Sequence, residues 1–375
     1  MSRPQPRVVL LSLDAFNPDI LSEETTPALW KLLQQGGASR AGGWCDLPAV
    51  TYVSHATLLS GVGPTKHRVL TNALGTAGFA ERPTWAGFPA VRVPTMFDML
   101  ENAGIPTAAV FGDQKILDVV RGFDARTHWP ITSDLPSDVP TDAFGYVTNA
   151  HTAARIMEAI ADERTRFVFG HLNETDTIGH LYGPDSPEYL EMCVTTDRLI
   201  GDLLQALAEH MRETVVIVLS DHGMELLTGE APINLLEHEQ LAQVVEGSID
   251  DGGAALIKMR DGLRAAELES VLRDIPGVAG SVPVEPGVHV AFAASGQVFY
   301  RGEIDHASKH IVGIHGGPKT QRTLAVVGGG HPAAGAIGRV ISQTPPHLRD
   351  WAPTVASLLG VPVPEMDGTD LSLPR

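Results

Sequence analysis

Short apolar runs alternate with helix-like stretches along most of the chain. The apolar runs are rich in aliphatic and β-branched residues and lie near residues 7–13, 106–111, 166–172, 214–220 and 323–328. Apolar residues at helical spacing fill intervals near residues 25–35, 93–103, 149–161, 187–209 and 350–359. Buried strands that alternate with helices are typical of α/β proteins. The pattern therefore predicts an α/β fold with a mainly parallel central sheet and helices on both faces.

The pattern changes after residue 225. Three segments, AALIKMRDG, RAAELESVLRDI and GVHVAFAASGQVFYR, predict a strand, a helix and further strands with their own turns. We interpret residues 226–310 as a small inserted α+β cap. Residues 1–225 and 311–375 then form the core domain.

Composition narrows the classes of function. The 375 residues carry a formal net charge of -18, so no basic stripe is available for a nucleic-acid polymer or an anionic membrane. An anionic small molecule is not excluded, because bound cations would set the local field. The only cysteines are Cys45 and Cys193, which favours a reducing compartment. No stretch approaches the ~20 apolar residues that span a bilayer, so we expect a cytoplasmic protein of undetermined oligomeric state.

Acidic and histidine side chains stand where apolar runs end. Asp14 closes VVLLSLD, and Asp221 with His222 closes VVIVLSDHG, at the position where α/β sheets place their chemistry. Neither run needs a charge there for folding. Asp176 and His180 follow FVFGHL, and their four-residue spacing can bring both side chains to one face of a helical turn. These segments together predict a two-metal hydrolase site.

Two more segments complete the candidate site. His315 lies in GIHGGP, where the glycines allow tight turns that aim an imidazole inward. Thr51 lies in LPAVTYVSHATLLSG, where a β-rich entry gives way to a helix. One interpretation makes Thr51 the N-cap of that helix. The other makes it a nucleophile at a helix N-terminus that attracts phosphate, with a metal lowering the pKa of its hydroxyl.

The order Asp, Thr, Asp-x3-His, Asp-His, His resembles the alkaline phosphatase superfamily and, within it, the nucleotide pyrophosphatase/phosphodiesterase branch. The segments that carry the likeness are ETDTIGHLYGPDSPEY, SDHGM and WAPTVASLLGVPVPEMDGTDL. They lie in both parts of the core domain, whereas the cap shows no likeness. The resemblance implies an alkaline phosphatase-like core.

The resemblance also implies two divalent metal ions, zinc or alternatively manganese. One ion would be held by a carboxylate and two imidazoles, from Asp176, His180 and His315. The other would be held by two carboxylates, one imidazole and the nucleophile, from Asp14, Asp221, His222 and Thr51.

Two residues near the nucleophile have implied substrate-binding roles. Asn72 stands where the family has an Asn that hydrogen-bonds a phosphoryl oxygen, and a turn-forming role is the alternative. Tyr52 stands where relatives have an aromatic residue that stacks on a nucleobase, and a core position is the alternative. We interpret the remaining histidines considered for the site as structural or cap residues, namely His55, His67, His171, His238, His306 and His310.

The implied activity is hydrolysis of a phosphodiester or pyrophosphate bond in a small phosphorylated substrate such as a nucleotide, through a phosphothreonine intermediate. A phosphonate hydrolase like phosphonoacetate hydrolase is one alternative, with a carboxylate held by Lys115, Lys258 or Lys309. A phosphomonoesterase is another, for which Arg68 is the nearby arginine. A sulfatase is disfavoured because YVSH follows Thr51 instead of a Cys/Ser-x-Pro-x-Arg motif. A catalytically silent metal- or nucleotide-binding protein is the alternative from another class.

Overall fold

The computed structural model of the protein describes residues 6–72, 91–132, 135–228, 232–299 and 311–373. Its strands are β1 Arg7–Leu13, β2 Gly37–Ala38, β3 Gly43–Trp44, β4 Thr107–Phe111, β5 Thr127–Trp129, β6 Phe167–Leu172, β7 Thr214–Leu219, β8 Glu225–Leu226, β9 Val245–Asp251, β10 Ala254–Met259, β11 Val278–Glu285, β12 Val288–Ala293, β13 Gly313–Ile314, β14 Arg322–Thr323 and β15 Ala325–Gly328. Its α-helices are α1 Pro27–Leu33, α2 Thr51–Ser60, α3 Pro64–His67, α4 Met96–Asn102, α5 Gln114–Val119, α6 Asn149–Ala161, α7 Glu174–Tyr182, α8 Pro187–Ala206, α9 Glu239–Val244, α10 Ala265–Arg273, α11 Pro332–Gln343 and α12 Trp351–Leu358.

The central sheet has the strand order β2-β15-β7-β1-β6-β4-β5 in the described part of the chain. Five of these strands, from β7 to β5, run parallel to their neighbours. The predicted strand near residues 323–328 pairs antiparallel with β7, and β2 pairs antiparallel with it in turn. The predicted α/β fold with a mainly parallel sheet is therefore confirmed.

Alternate residues of each central strand face opposite layers of helices. In β1, Val8 and Leu10 belong to a buried cluster with side chains of α2, α4, α5, α11 and α12. Val9 and Leu11 belong to a second cluster with side chains of α1, α6 and α8. Because successive side chains of a strand point to opposite faces, a strand buried on both faces is apolar throughout. This explains the continuous apolar run at β1.

The order of the parallel strands brings the candidate residues to one edge of the sheet. β1 lies between β7 and β6, and all three strands point the same way. Asp14 follows β1, Asp221 follows β7, and the helix α7 with Asp176 follows β6. Segments that leave neighbouring parallel strands at their carboxyl ends meet in one crevice. The three carboxylates, far apart in sequence, are therefore neighbours in space.

A second sheet lies in the region that the sequence assigned to the cap. Its strands β11-β12-β10-β9 are antiparallel. One face is covered by α9 and α10 around residues such as Leu268 and Leu272. The other face packs with Leu47 and Leu70 of the core. The division of the chain at residues 226 and 310 stays a prediction, and residues 300–310 lie outside the described ranges.

Two further sequence features can be located. Cys45 and Cys193 are buried and both carry free thiols. Among the helices of the described ranges, none combines the length and the apolar character needed to cross a membrane.

Candidate metal centre

Three buried carboxylates form the acidic part of the site. Asp14, Asp176 and Asp221 are 3%, 8% and 0% exposed. In the described part of the chain, Asp14 Oδ1, Asp176 Oδ1 and Asp221 Oδ2 are buried oxygens that have no hydrogen-bond partner. A buried carboxylate oxygen without a donor is costly unless a cation or proton satisfies it. The arrangement of the three carboxylates thus fits a cation-binding site.

Three histidines face these carboxylates through Nε2. In His180, His222 and His315, Nδ1 lies 2.9, 3.1 and 3.1 Å from a backbone carbonyl oxygen, respectively that of Gly313, Gly223 and Ala49. A carbonyl can only accept, so each Nδ1 carries the proton and donates it. Each Nε2 then keeps a lone pair directed at the site. A backbone acceptor that fixes the ring and its tautomer is the usual arrangement around metal-ligating histidines.

The distances divide the potential ligand atoms into two groups that share His222. One group consists of Asp14, Asp221 and His222, and the other of Asp176, His222 and His315. His222 Nε2 lies 3.2 Å from Asp221 Oδ2 and 3.5 Å from Asp14 Oδ1. His315 Nε2 lies 3.5 Å from Asp176 Oδ1. The sequence assigned His222 to one ion, whereas its nitrogen lies within reach of both groups.

His180 is the most peripheral of the expected ligands. Its Nε2 lies 3.4 Å from Asp176 Oδ1, but it is absent from the two compact groups. The centre of its ring lies 5.0 Å from the centre of the His315 ring. The His315 ring in turn stacks on the His222 ring, with 4.0 Å between the ring centres. The structure therefore brings all six expected metal ligands into one cluster, with the imidazoles of His180, His315 and His222 in a row.

Thr51 is the first residue of α2, and its hydroxyl points into this cluster. The N-cap position is occupied by Val50, so the interpretation of Thr51 as the N-cap residue is wrong. Thr51 Oγ1 lies 3.2 Å from His222 Nε2, and the residue is 6% exposed. The hydroxyl is thus adjacent to a candidate ligand.

Asn72 and Tyr52, the two residues with expected substrate-binding roles, are joined by a hydrogen bond. The Asn72 side-chain Oδ1 accepts a hydrogen bond of 2.8 Å from the Tyr52 backbone N–H. The Tyr52 ring is 4% exposed and packs in the core, while its hydroxyl donates to Asp113 at 2.9 Å. A ring buried in this way has no face open to a nucleobase. The structure therefore corrects the expected base-stacking role of Tyr52 in favour of a core position.

Burial controls the protonation of the cluster. Burial, reinforced by Asp221 and Asp176, raises the pKa of Asp14 well above its usual value. Burial likewise raises the pKa of Asp176 and of Asp221. It lowers the pKa of His222 to about 4, and that of His315 well below its usual range. The imidazoles of His222 and His315 therefore offer neutral nitrogen lone pairs, and the carboxylates need a nearby cation to stay ionised. Mixed carboxylate and imidazole donors fit zinc or a similar ion.

Two buried histidines that the sequence treated as structural lie directly behind the cluster. His171 Nδ1 accepts from the Asp113 backbone N–H at 3.5 Å, so Nε2 carries the proton that it donates to Asp14 Oδ2 at 3.1 Å. His55 Nδ1 donates to the Thr51 carbonyl oxygen at 2.7 Å. His171 thus orients a candidate ligand. The sequence signal was a lone imidazole at the end of the buried strand β6.

Asp142 is a further residue without a sequence signal. Its Oδ2 accepts from Thr177 Oγ1 at 2.6 Å and from Asn173 Nδ2 at 3.1 Å, which ties its loop to α7 beside Asp176. Its Oδ1 accepts from the backbone N–H groups of Phe144 and Tyr146. This carboxylate therefore fixes its loop against α7.

The basic residues considered for substrate binding have different partners. Arg68 forms an ion pair with Glu285 of the second sheet. Lys258 Nζ lies 2.9 Å from Glu246 Oε2. Lys115 Nζ lies over the Tyr146 ring at 5.8 Å from its centre. Lys309 lies outside the described residues, as do His306 and His310.

The fold is shared with solved structures of ectonucleotide pyrophosphatase/phosphodiesterase 5. The murine protein matches with a TM-score of 0.71 and 19% identity, and the alignment covers 97% of both chains. The human protein matches with a TM-score of 0.72 and 18% identity over the same shares. An inactive form of the murine protein has been solved in complex with AMP. At these identities the likeness shows the fold alone.

Curated relatives share sequence over part of their length. Venom phosphodiesterase of Macrovipera lebetinus is 27% identical over 238 residues, which are 60% of this chain and 26% of that protein. A pyrophosphatase/phosphodiesterase of Schizosaccharomyces pombe is 26% identical over 233 residues, which are 59% of this chain and 45% of that protein. The chain thus spans less than half the length of these relatives.

The sequence pattern of a whole family also matches. That family is described as type I phosphodiesterase / nucleotide pyrophosphatase, and the match extends over residues 8–314. It includes most of the central sheet, the three carboxylates and Thr51. The chain belongs to the type I phosphodiesterase / nucleotide pyrophosphatase family.

Proposed function

We propose that the protein is a metal-dependent phosphodiesterase or nucleotide pyrophosphatase that uses Thr51 as its nucleophile. The observation that carries the proposal is the position of Thr51 Oγ1, 3.2 Å from His222 Nε2. That hydroxyl borders a cluster in which each of the three carboxylates has one buried oxygen without a hydrogen-bond partner. Membership of the family supports the same reaction class.

Two divalent cations, zinc or alternatively manganese, complete the proposed site. Asp14, Asp221 and His222 would hold one cation beside Thr51, and Asp176, His180 and His315 would hold the other, with His222 Nε2 within reach of both. When bound, the cations polarise the phosphoryl group and lower the pKa of the Thr51 hydroxyl and of a water molecule. The lone pairs on each Nε2 and the unpartnered carboxylate oxygens supply the ligand atoms.

In the proposed reaction, Thr51 Oγ1 forms a bond to phosphorus while the bond to the leaving oxygen breaks. The products of this step are a phosphothreonine that keeps the other substituent on phosphorus, and an alcohol or a phosphate whose leaving oxygen takes up a proton in place of the one released from the Thr51 hydroxyl. Water then attacks the same phosphorus and regenerates the Thr51 hydroxyl. The N-terminus of α2 favours negative charge at this position. Asn72, whose Oδ1 is held by Tyr52, presents its Nδ2 as a donor to a phosphoryl oxygen.

A small phosphorylated molecule, such as a nucleotide or another phosphodiester, is the proposed substrate. The pairing of Arg68 with Glu285 weighs against a phosphomonoesterase, because that guanidinium is already engaged. Phosphonate hydrolysis is the second candidate, since the ammonium group of Lys115 is exposed beside Tyr146. A cytoplasmic location belongs to the proposal as well, and the two buried free thiols support it.

The proposal is tested by turnover of bis-p-nitrophenyl phosphate, a nucleotide pyrophosphate, p-nitrophenyl phosphate and phosphonoacetate with added zinc or manganese. We expect the highest kcat/KM for a diester or a pyrophosphate, and loss of that activity in Thr51→Ala. Thr51→Ser is the matched variant, because it keeps a hydroxyl. Mass spectrometry after acid quenching of a diester reaction should show the peptide with Thr51 carrying the phosphoryl group together with the substituent that stays on phosphorus. Equal turnover of the wild type and Thr51→Ala would remove Thr51 as the nucleophile.

The catalytically silent alternative predicts a different result. A silent metal-binding protein would retain zinc in both the wild type and Thr51→Ala, and neither would hydrolyse any substrate of the panel. Preference for phosphonoacetate would instead support the second candidate.

A further inference from the structure

One hairpin of the second sheet touches two parts of the candidate centre. β9 and β10 are joined by a two-residue turn, Gly252–Gly253, with Asp251 paired to Ala254 at its base. Gly252 has a φ of +62°, in the left-handed region that favours glycine. The turn lies between the segment that carries Asn72 and the segment that carries His315. The hairpin forms hydrogen bonds to both segments.

The side chain of Asp251 holds the Asn72 segment. Asp251 Oδ2 accepts a hydrogen bond of 2.7 Å from the Asn72 backbone N–H and a second of 2.7 Å from Thr71 Oγ1. Hydrogen bonds to a carboxylate are stronger than those between neutral groups. One carboxylate oxygen from the second sheet therefore fixes the main chain at residues 71 and 72.

Asn72 is held from the opposite direction by the nucleophile helix. Its Oδ1 accepts from Tyr52, the residue after Thr51 in α2. The main chain of Asn72 is thus tied to Asp251 and its side chain to α2. With both anchors in place, the Nδ2 group has one remaining direction, away from Tyr52. Loss of the Asp251 anchor would let Asn72 shift relative to Thr51.

The backbone of the same turn holds His315. The Gly253 N–H donates to the His315 carbonyl oxygen at 2.8 Å. The approach leaves no room for a side chain, because a Cβ on Gly253 would lie 2.7 Å from that oxygen. On its other side, His315 donates from Nδ1 to Ala49, and Ala49 donates from its N–H to Gly316. The turn therefore supports a candidate metal ligand as well as Asn72.

We propose that Asp251 is a positioning residue that fixes Asn72 for the reaction, and that the Gly252–Gly253 turn makes the second sheet part of the catalytic apparatus. This proposal rests on the proposed function. The hydrogen bonds of the Asp251 side chain run to Thr71 and Asn72, so we infer that it acts through that segment. Fixed orientation of a donor toward the developing charge is worth far more than its mere presence.

The test is a double-mutant cycle with Asp251→Ala, Asn72→Ala and the double variant, measured on zinc-loaded protein. We expect Asp251→Ala to lower kcat roughly 10- to 100-fold with little change in KM, as for loss of an interaction made in the transition state. Asp251→Asn should recover part of that loss, because its amide oxygen still accepts. In the Asn72→Ala background, Asp251→Ala should cost almost nothing more.

Asp250→Ala is the matched control. Asp250 is the neighbouring residue on β9 and its side chain points to the opposite face. Its Oδ1 is buried and has no hydrogen-bond partner in the described chain, so removing it breaks no contact to the Asn72 segment. We expect Asp250→Ala to keep the wild-type kcat and bound zinc. All variants are compared at equal zinc content.

If the losses of kcat in the two single variants add up in the double variant, the proposal is overturned, because Asp251 then acts independently of Asn72. Loss of zinc in Asp251→Ala would overturn it too, by making Asp251 a metal ligand. If the wild type turns over no substrate, the proposed function fails. The positioning role of Asp251 is then tested by measuring, with calorimetry, the binding of inorganic phosphate to the same set of variants. Weaker phosphate binding by Asp251→Ala, absent in the Asn72→Ala background, supports positioning. Unchanged binding refutes it.

Discussion

Nε2 of His222 lies 3.2 Å from the hydroxyl oxygen of Thr51 and belongs to both groups of candidate metal ligands. The same nitrogen therefore contacts the proposed nucleophile and joins the two groups. His180, in contrast, lies at the edge of the cluster, beside Asp176 and His315. The two histidines should differ in what their removal does to bound metal.

We expect His222→Ala to lose more metal than His180→Ala. Removing the shared nitrogen weakens both sites, whereas removing His180 leaves Asp14, Asp221 and His222 intact. After dialysis against a weak chelator, His180→Ala should retain roughly one zinc per chain, because one set of three protein ligands remains. Plasma mass spectrometry measures the ratio. Equal zinc content in the two variants would show that His222 serves a single ion.

Removal of metal should reverse the effect of Asp14→Asn on stability. Burial raises the pKa of Asp14, so without a cation the folded state holds a proton that the unfolded chain releases as the pH rises above its usual value of 3.8. This carboxyl then destabilises the fold increasingly between pH 3.8 and its raised pKa, and fully at higher pH. In EDTA at pH 7, we expect Asp14→Asn to unfold at higher temperature than the wild type.

With saturating zinc the order should invert, because Asp14 then supplies a ligand. Ligand binding at 100 times Kd stabilises a protein by about 2.7 kcal/mol per site, which the variant forfeits in part. Calorimetry under both conditions gives the comparison. A variant that is less stable than the wild type in EDTA as well would contradict an uncompensated carboxylate at this position.

His171 should control zinc affinity through Asp14. We expect His171→Leu to weaken zinc binding roughly 10- to 100-fold, the usual cost of losing a hydrogen bond to a metal ligand. His171→Gln is the conservative comparison, because its amide can still donate to Asp14 Oδ2. Competition with a chromophoric chelator measures both affinities. Wild-type affinity in His171→Leu would reduce His171 to a packing residue.

The regular elements of the core were accessible from the sequence because their signals are local. β1 and β7 contain the unbroken apolar runs VVLL and VVIVL, and α6 and α8 begin at the expected residues, 149 and 187. Elements with weak local patterns were missed. α11 has the sequence PAAGAIGRVISQ, rich in Gly and Ala, and β9 ends in SIDD, where Ile249 is the single apolar residue.

The candidate ligands were accessible for a related reason: charged residues at the ends of apolar strands stand out. Asp142 and Asp251 do not, because each lies in a polar stretch. Their importance comes from partners distant in the chain, 35 residues away for Thr177 and 179 for Asn72. No local pattern encodes which loops meet. Tyr52 was ambiguous for the same reason, since its burial depends on the helices around it.

His67 should make the fold sensitive to acid. It is fully buried, and burial, with the nearby Arg349, lowers its pKa to about 3. Its Nδ1 accepts from the Val69 N–H, so Nε2 donates to Thr57 Oγ1. The unfolded chain binds a proton near pH 6.5, so stability falls as the pH drops from 6.5 toward 3, by about 2 kcal/mol at pH 5. His67→Gln should flatten this dependence in urea unfolding. An unchanged slope between pH 6.5 and 5 would assign the acid sensitivity to other groups.

Gly253→Ala should damage the centre, although residue 253 lies in the second sheet and is not a candidate ligand. A Cβ there would lie 2.7 Å from the His315 carbonyl oxygen and 2.8 Å from the Gly317 nitrogen. Both are backbone atoms, so the segment that carries His315 must move. Forced overpacking costs typically about 1–3 kcal/mol, and a displaced ligand weakens metal binding. We expect lower zinc affinity together with lower kcat.

Gly247→Ala, on the strand β9 that leads into the turn, provides the comparison. A Cβ at Gly247 would meet no atom within 4 Å, and alanine restricts the unfolded chain more than glycine does. Stability should stay equal or rise by up to about 1 kcal/mol, with wild-type zinc affinity. Comparing Gly253→Ala with Gly247→Ala distinguishes a general weakening of β9 from a specific displacement of His315. Equal zinc affinity in Gly253→Ala and Gly247→Ala would mean that the turn does not support the metal centre.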